Sequence, residues 1–352
     1  MRGLPGSLLF ISSLAAAPCL RAQSRCEPPF APAADSVRQM VSRLGLLGAG
    51  LIIRLKGRPV CEVYVGPLGP ATEMPVVSAA KWLSAAAILA LVDEGTLRLD
   101  DSVSRYLPYF KGDKRGITLR QLLSHTSGLV DYSPCMFQQQ LTLDICARQI
   151  GEKTKLRAAP GREFAYGGAA FSVAGRMAEV AAGTSWADIF ASRIARPLGL
   201  GHTGYGATAN PMLSEGLVYS SASDYATFLQ MLLDGGMHEG RRVLSEAAVE
   251  EMTRDQTAGI SNRVSPRGDV TYGLGCWRDV VDSATGRALV LTSPGGGGFV
   301  PWVNRRRDMV GVLAVYDRLE RVWPTAIAVM TAARDGAVAL DSAAAGAGAE
   351  AH

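Results

Sequence analysis

Segments with strand character lie near both ends of the chain and enclose a long stretch that is predicted to be helical. Early strands are expected at 49–55 and 61–65, and late strands within 272–315. Within 102–235 the apolar residues instead recur at helical spacing, in segments separated by loops with proline and glycine. This order predicts an α/β (α+β) fold, in which one sheet is built from both chain ends and an all-helical domain is inserted between them.

The chain is long enough, and apolar enough, for one large two-lobed fold. It has 352 residues, of which 48% are hydrophobic, and this excludes a mainly disordered protein. The domain is expected at 24–335. Its sheet lobe is predicted at about 35–95 and 240–335, and its helical lobe at about 96–239.

The two ends of the chain differ from the domain in composition. Residues 1–23 begin with Arg2, continue through an apolar run and end in small residues, which is the layout of a secretory signal peptide. We therefore expect a secreted or periplasmic protein with no membrane span in the mature chain. Residues 336–352 are rich in Ala and Gly and contain no aromatic residue, which predicts a flexible tail.

Charge and metal-ligand counts exclude several classes of partner. The net charge is +4, and it falls to +2 if Arg2 and Arg21 leave with the signal peptide, so no nucleic-acid partner is expected. The chain has four His and neither a CxxC nor an HExxH pattern, so neither a metal site nor a cofactor is predicted.

Loss of the signal peptide would leave five cysteines, at positions 26, 61, 135, 146 and 276. An odd number leaves at least one thiol without an intramolecular partner. Cys135 and Cys146 are the pair most easily joined, since a disulfide between them would close a short loop in an oxidising compartment. Two buried free cysteines are the alternative.

A serine and a lysine are placed three residues apart at the start of a predicted helix, 78–92. Ser78 and Lys81 would share a helix face, with their Cβ atoms about 5–6 Å apart. A neutral Lys81 amine could take the Ser78 proton and create a nucleophile, and the helix N-terminus would face any oxyanion formed there. A helix-capping serine beside a solvated lysine is the alternative.

Two further segments are candidates for the same chemistry, and one histidine is not. Tyr166 is a phenol that could carry a proton near a cationic lysine, or a core aromatic residue at a turn. The run Ser293-Pro294-Gly295-Gly296-Gly297-Gly298 follows a predicted strand, and its glycines let the backbone approach a ligand. Since Pro294 has no N–H, Gly296 is the predicted second oxyanion donor, and a mobile surface turn is the alternative. His125 has no evident partner and is predicted to be a buried structural histidine.

Together these segments resemble the serine β-lactamase and penicillin-binding-protein superfamily, and most closely its class C-like branch, which includes family VIII-type carboxylesterases and D-aminopeptidases. The resemblance covers about 35–335. Its matching segments are 81–84 (Lys-Trp-Leu-Ser), 91–95 (Leu-Val-Asp-Glu-Gly), 119–128 (Leu-Arg-Gln-Leu-Leu-Ser-His-Thr-Ser-Gly), 160–161 (Pro-Gly), 164–166 (Phe-Ala-Tyr), 197–200 (Pro-Leu-Gly-Leu), 223–225 (Ser-Asp-Tyr), 242–245 (Arg-Val-Leu-Ser) and 272–275 (Tyr-Gly-Leu-Gly).

The resemblance implies a fold, a site and a reaction. The fold would be β-lactamase/transpeptidase-like, an antiparallel sheet flanked by helices with the cleft between sheet and helical domain. Ser78 would be acylated, Lys81 would activate it, and Tyr166 would pass the proton to the leaving group. The amides of Ser78 and Gly296 would bind the oxyanion. Further substrate contacts are expected from the glycine-rich run and from the segment after the tyrosine, namely from Ser293, Gly295 and Gly168.

Two family motifs are altered here. The family's Tyr-x-Asn reads Tyr166-Gly167-Gly168, so the side-chain amide that contacts lysine and substrate is missing. The third motif, Lys-Thr-Gly or His-x-Gly, reads Ser293-Pro294-Gly295, so a cation that would bind a substrate carboxylate is missing. Ester cleavage depends less on both groups.

The altered motifs favour one function and leave two others open. We expect an exported serine hydrolase that is esterase-like, with weak β-lactamase activity, acting on a small-molecule ester, amide or β-lactam. A D-amino-acid peptidase or β-lactamase acting on cell-wall peptides or β-lactams is one alternative. A non-catalytic penicillin-binding-like protein is the other.

Overall fold

The computed structural model describes residues 24–214, 218–268 and 271–349. The predicted signal peptide, 1–23, lies outside the described residues. The strands of the described chain are β1 (Arg25–Cys26), β2 (Ala49–Leu55), β3 (Arg58–Val65), β4 (Met74–Pro75), β5 (Glu163–Ala165), β6 (Thr203–Gly204), β7 (Tyr219–Ser220), β8 (Met237–His238), β9 (Arg241–Arg242), β10 (Ser261–Val264), β11 (Thr271–Tyr272), β12 (Trp277–Val281), β13 (Ala288–Thr292), β14 (Phe299–Asn304) and β15 (Met309–Val315). Its α-helices are α1 (Ala31–Leu44), α2 (Ala80–Asp93), α3 (Val103–Tyr106), α4 (Leu119–Leu123), α5 (Leu143–Lys153), α6 (Ala169–Ala182), α7 (Trp186–Phe190), α8 (Arg196–Leu198), α9 (Ala222–Leu233), α10 (Glu246–Thr253) and α11 (Leu319–Ala349).

Strands from both ends of the chain form one antiparallel sheet in the order β1-β3-β2-β15-β14-β13-β12-β11. The early and late parts of the chain meet where β2 pairs with β15, with Ala49 opposite Val315 and Leu55 opposite Met309. Both central strands are buried almost throughout, in agreement with sequences that are apolar on both faces except at the half-buried Arg54. The predicted fold class is confirmed.

Helices cover both faces of this sheet. On one face α1 packs against α11, and Val37, Met40, Val322 and Val329 join strand residues in a continuous apolar cluster. On the other face α9 packs against β15, β2 and β14, and beyond it lie the helices of the central part of the chain. The predicted helical lobe, about 96–239, includes α9, whereas the structure places this helix directly on the sheet. Its buried face is apolar and packs on the apolar surface of the sheet.

Helix α2 forms the centre of the molecule. Every residue from Ala80 to Leu91 is buried, and the helix contacts α6 and α10. A helix that is apolar all round is typical of such an enclosed position. It ends at Asp93, and Gly95 adopts a φ of 74° just beyond the end, as expected for glycine after a helix C-terminus. This enclosure fixes the N-terminus of α2, where the serine–lysine pair lies.

The prediction of a flexible tail from 336 is wrong for the part that the structure describes. Helix α11 continues to Ala349, and Ala333 and Ala337 are fully buried against the α1 side of the sheet. Gly336 lies so close to the loop before α1 that a Cβ atom there would be 2.5 Å from the Pro29 carbonyl oxygen. Small residues that suggested disorder instead allow close helix packing.

Two disulfides are present among the described cysteines. Cys135 is bonded to Cys146, as predicted from their spacing. Cys26 is bonded to Cys61 and joins β1 to β3, a pairing that the sequence did not indicate because 35 residues separate the two. Cys276 is a buried free thiol, the unpaired cysteine that the odd count required.

Helix α11 has 31 residues, but neither it nor any other helix in the described chain combines the length and apolarity needed to span a bilayer.

Candidate active site

Ser78 and Lys81 form a buried hydrogen-bonded pair at the N-terminus of α2. Ser78 lies in a 3-10 turn, Val77–Ala79, that leads into the helix, and Lys81 is in the first helical turn. Lys81 Nζ lies 3.1 Å from Ser78 Oγ. Ser78 is 9% exposed and Lys81 is fully buried. The spacing of three residues therefore brings the amine to the hydroxyl, as the sequence predicted.

Two other chain segments contact the Lys81 side chain. Its Nζ donates to the Ser214 carbonyl oxygen at 3.0 Å and lies 4.6 Å from the centroid of the Tyr166 ring. The family motif would supply an asparagine amide next to the lysine, and this chain has Gly168 at that position. A main-chain carbonyl is thus one acceptor for Lys81 here, and no sequence motif could have indicated it.

The backbone just before the nucleophile candidate has an unusual conformation. Val77 has a φ of 49°, which is rare for a β-branched residue and energetically unfavourable. Val76, which precedes Val77, donates its N–H to the Val218 carbonyl oxygen at 2.9 Å. A Cβ atom on Gly295 would be 2.2 Å from the Val76 carbonyl oxygen. Close contacts from two distant segments therefore hold Ser78 in place.

Tyr166 reaches the same site from the helical lobe. It follows β5 and donates its backbone N–H to the Val264 carbonyl oxygen at 2.9 Å. Its ring packs against Trp277, with centroids 5.1 Å apart and planes tilted by 31°. Both side chains line a cleft that also contains Ser78. The phenol predicted as proton carrier thus lies beside the serine–lysine pair.

His125 is buried directly behind Tyr166. Its ring centroid lies 4.6 Å from that of Tyr166, and the rings of Phe164, Phe171 and Tyr272 surround it. Neither ring nitrogen has a hydrogen-bond partner in the described chain. Burial first, and the charge of Lys81 second, lower the pKa of His125 well below its usual value. The imidazole is therefore neutral, in agreement with a structural histidine.

The glycine-rich run supplies one residue whose backbone is available at the cleft. Gly296 lines the cleft, and its N–H has no acceptor among the described residues. Its carbonyl accepts a hydrogen bond from Leu319 N at 2.9 Å. Ser78 N–H lies in the first turn of a helix, where N–H groups lack intrahelical acceptors. These two N–H groups are the candidates for an oxyanion site.

The structure places the other three predicted substrate contacts in the loops around the site. Ser293 is 2% exposed, and its hydroxyl donates to the Gly275 carbonyl oxygen at 3.1 Å. Gly295 donates its N–H to Phe299 at 2.8 Å, and Gly168 donates to Asp131 at 2.8 Å. Their polar groups are satisfied within the fold, so these residues shape the loops around the site.

The cleft is large enough for a small molecule and lies between the sheet, the helical lobe and α11. Its volume is about 620 Å³. It is lined by Ser78, Tyr166, Pro266, Arg267, Trp277, Pro294, Gly296, Leu319, Glu320, Trp323 and Pro324. Three of these lining residues could not be predicted from the sequence, because they lie far apart in the chain and belong to no motif: Arg267, Trp277 and Trp323.

Arg267 is the one cation among the described residues that line this cleft, and its charge is compensated. Its guanidinium forms two hydrogen bonds to the Asp279 carboxylate, at 2.8 and 3.1 Å, and a third to Thr292 Oγ1 at 2.7 Å. Both charged side chains are largely buried. Among the described residues, no group of three His, Cys, Asp or Glu side chains is arranged to hold a metal ion.

The comparison with known proteins agrees with this site. A family model described as Beta-lactamase matches residues 33–348. The chain belongs to the beta-lactamase family. A structure from Bacteroides dorei DSM 17855, assigned as a beta-lactamase, is 34% identical with a TM-score of 0.76 and covers 82% of this chain and 90% of that one.

One further relative and one structural neighbour carry names other than beta-lactamase. An Escherichia coli (strain K12) protein, the D-alanyl-D-alanine-carboxypeptidase/endopeptidase AmpH, is 26% identical, with 84% of this chain and 87% of that protein covered. A family VIII carboxylesterase structure shares the fold with a TM-score of 0.74 at 18% identity, over 89% of this chain and 99% of that one. The predicted resemblance to serine β-lactamases and penicillin-binding proteins is confirmed, and with it membership of a serine hydrolase family.

Proposed function

We propose that this protein is an exported serine hydrolase that forms an acyl-enzyme on Ser78 and cleaves esters in preference to β-lactams or peptides. The observation that carries the proposal is the 3.1 Å contact between Lys81 Nζ and Ser78 Oγ, at the edge of a cleft that also contains Tyr166. A nucleophile in hydrogen-bond contact with a base is the arrangement that covalent catalysis requires.

The first half of the reaction transfers the acyl group to the protein. Ser78 Oγ attacks the carbonyl carbon while its proton passes to the Lys81 amine, and the N–H groups of Ser78 and Gly296 bind the oxygen that becomes negative. The tetrahedral intermediate then collapses. The ester C–O bond breaks, and the alcohol leaves with a proton delivered through the Tyr166 hydroxyl.

The second half releases the acyl group. A water molecule attacks the acyl carbonyl carbon, and its proton is taken up by the same basic groups in reverse order. The Ser78 Oγ–carbonyl bond then breaks, the hydroxyl regains its proton, and the carboxylic acid leaves. An alcohol in place of water would give acyl transfer by the same steps.

The preference for esters rests on the charges in the cleft. Recognition of a carboxylate, as in a penicillin or a peptide terminus, requires an uncompensated cation near the bound carbonyl. The third motif has Ser293 in the place of a cation, and Arg267 is ion-paired with Asp279. Glu320 adds a negative charge to the cleft lining. A neutral ester needs no cation for its recognition, and the negative charge of Glu320 does not repel it.

A peptidase is the second candidate, because the Escherichia coli relative is named a D-alanyl-D-alanine-carboxypeptidase/endopeptidase. Release of D-alanine from a D-Ala-D-Ala peptide would support it. A non-catalytic binding protein is the third candidate, and the intact serine–lysine contact argues against it.

Export is proposed from two features. Residues 1–23 have the layout of a signal peptide, and two disulfides in the described chain suit an oxidising compartment. N-terminal sequencing of the protein recovered from the periplasm or the medium tests this, and an intact Met1 terminus on the exported protein would contradict cleavage.

Turnover measurements on three classes of substrate, namely esters, a β-lactam and a peptide, test the function. We expect purified protein to hydrolyse p-nitrophenyl acetate and butyrate with a higher kcat/KM than nitrocefin or a D-Ala-D-Ala peptide. Ser78→Ala is expected to lower kcat by about 10³-fold or more. Ser342→Ala, on the exposed side of α11, is the matched control and should leave kcat unchanged. Faster cleavage of nitrocefin or of the peptide would overturn the ester preference, and ester turnover that survives Ser78→Ala would overturn the site.

A further inference from the structure

Four planar side chains stand in a row along one wall of the cleft. The ring centroids of Tyr166 and Trp277 are 5.1 Å apart. The Arg267 guanidinium carbon lies 5.5 Å from the Trp277 ring and 4.7 Å from the Trp323 ring. We call these four residues the planar wall. All four line the same cleft as Ser78, so a substrate held at Ser78 lies beside them.

The planar wall is built from distant parts of the chain. Tyr166 belongs to the helical lobe, Trp277 begins β12, and Trp323 is in the first turns of α11. Arg267 is fixed between the two tryptophans by its bidentate bond to Asp279 and by Thr292. A guanidinium held in this way presents a flat face to its neighbours and has little freedom to move toward a substrate anion.

The chemistry of the wall indicates what it would bind. Aromatic rings attract other aromatic rings in stacked or edge-on arrangements beyond simple apolar burial, and a guanidinium stacks on an aromatic face. A saturated ring of equal size buries as much apolar surface but cannot form these contacts. The other lining residues include Pro266, Pro294, Pro324 and Leu319, which add an apolar surface without hydrogen-bond donors on their side chains.

We propose that the planar wall makes this cleft select substrates with a flat, uncharged aromatic group next to the scissile ester over substrates with a saturated ring of the same size. The inference rests on the proposed function, since it names the substrate class of the same site. Trp323 is its specificity-determining residue, because it is partly exposed whereas Trp277 is buried, and because it belongs to α11 and not to the segment of Tyr166 that contacts Lys81.

Two matched pairs of esters test the inference. Methyl phenylacetate and methyl cyclohexylacetate differ in the ring on the acyl side, and benzyl acetate and cyclohexylmethyl acetate differ in the ring on the alcohol side. Hydrolysis is followed by titration of the released acid. We expect the wild-type protein to favour the flat member of at least one pair by about fivefold or more in kcat/KM. Apolar burial, which is equal for the two members of a pair, would give no such preference, and the variants below test whether the planar wall is its source.

Three variants assign the preference to the wall. Trp323→Leu keeps an apolar side chain but removes the flat face, and it should reduce the ratio to about twofold or less while turnover of the saturated ester persists. Trp323→Phe keeps a flat ring and should retain the preference, which guards against misfolding as the cause. Ile327→Leu, on an exposed position of the same helix and outside the cleft, is the control and should behave as the wild type.

The outcomes separate the inference from the function. Turnover that depends on Ser78 but shows no preference for flat rings, or a preference that Trp323→Leu leaves unchanged, overturns the inference and leaves the function intact. If no ester is cleaved in a Ser78-dependent manner, the proposed function fails. Binding then decides the inference: saturation-transfer NMR should detect benzyl alcohol more strongly than cyclohexylmethanol, with the difference lost in Trp323→Leu, and equal signals would overturn it.

Discussion

The amine of Lys81 is held by contacts from three parts of the chain. Ser78 Oγ lies one helical turn away at 3.1 Å, the Ser214 carbonyl at 3.0 Å, and the Tyr166 ring with its centroid at 4.6 Å. The first contact could be predicted from sequence because residues three apart on a helix meet. The carbonyl contact could not, because 133 residues separate its partners and any residue type offers the same main-chain oxygen.

At the residue scale, alanine substitutions at two adjacent glycines are expected to have different effects on activity. In Gly295→Ala the new Cβ atom would meet the Val76 carbonyl oxygen at 2.2 Å, so the segment before Ser78 must shift. An error of this size in a catalytic group lowers kcat/KM by about 10²-fold. In Gly296→Ala nothing lies within 4 Å of the Cβ atom, and the backbone N–H remains, so kcat/KM for p-nitrophenyl butyrate should stay within about twofold of wild type. Equal effects of the two substitutions would contradict the placement of this turn.

His125 gives a pH prediction at the same scale. Its pKa is lowered in the folded protein, first by burial and then by Lys81, whereas in the unfolded chain it is close to 6.5. Below pH 6.5 the unfolded state therefore binds a proton that the folded state does not. The free energy of unfolding should fall with decreasing pH in this range, by up to about 1.4 kcal/mol per pH unit from this group.

Urea denaturation between pH 7.5 and 5.5 measures that slope. His125→Asn, which tolerates the positive φ of 60° at this position, should show a shallower loss of stability than wild type, whatever its absolute stability. His202→Asn removes an exposed imidazole and serves as control. Parallel slopes for wild type and His125→Asn would show that His125 does not remain neutral on folding.

At the scale of elements, helices and strands could be predicted where the apolar pattern is strong. The Ala- and Gly-rich composition of the C-terminal segment did not indicate its structure. Strand β2 has the predicted bounds, 49–55, because its largely apolar run ends at the turn residues Lys56 and Gly57. The C-terminal part of α11 was predicted to be flexible because Ala and Gly dominate it. It is helical, and Gly336 and Ala337 are small enough to pack closely against the chain before α1 and the sheet face beside it. A sequence contains no direct signal of which distant element such residues will contact.

The two disulfides lead to a stability prediction for the elements that they join. A crosslink restricts the unfolded chain more when it closes a longer loop. Cys26 and Cys61 are separated by 35 residues and Cys135 and Cys146 by 11. Replacing the first pair by serine should therefore lower the free energy of unfolding by about 4 kcal/mol, and replacing the second pair by about 3 kcal/mol.

Urea denaturation of the two double variants, with and without a reductant, tests these values. Addition of dithiothreitol should lower the transition midpoint of the wild type and leave that of a variant lacking all four cysteines unchanged. A wild-type midpoint that does not respond to complete reduction would contradict the stabilising role of both bonds.

At the scale of the whole molecule, the two lobes share one apolar core. Ile52 and Val312 of the sheet belong to the same continuous cluster as Phe171 and Trp186 of the helical lobe, with α2 running through it. The order of strands and helices along the chain was sufficient to predict this architecture. The position of α9 on the sheet was not predictable, because its apolar face would suit either lobe.

A shared core predicts that the lobes unfold together. Thermal unfolding should give a single transition, with the same midpoint from the far-ultraviolet circular dichroism of the helices and from the fluorescence of the tryptophans. Two separated transitions, or a loss of tryptophan signal well before that of the helices, would show that the cleft is bounded by independent units. The geometry of the site would then depend on a mobile interface.

Because the cleft is formed by distant parts of the chain, only some of the residues that line it could be predicted from the sequence. Short local motifs contain three of the residues at the cleft: Ser78, Lys81 and Tyr166. Trp323 comes from the C-terminal helix and Arg267 from the segment between β10 and β11, and only the folded chain brings them together. The residues proposed to catalyse are thus indicated by local patterns, whereas the residue proposed to select a substrate could be found only from how distant segments meet.

The central claim is that Lys81 makes the Ser78 hydroxyl a nucleophile, and covalent labelling tests it most directly. The protein is mixed with a fluorophosphonate, the rate of adduct formation is followed by intact mass, and the modified peptide is sequenced. We predict one adduct, located on Ser78, absent in Ser78→Ala and formed about 10²-fold or more slowly in Lys81→Ala. An adduct on any other residue, no adduct, or a labelling rate that Lys81→Ala leaves unchanged would contradict the claim.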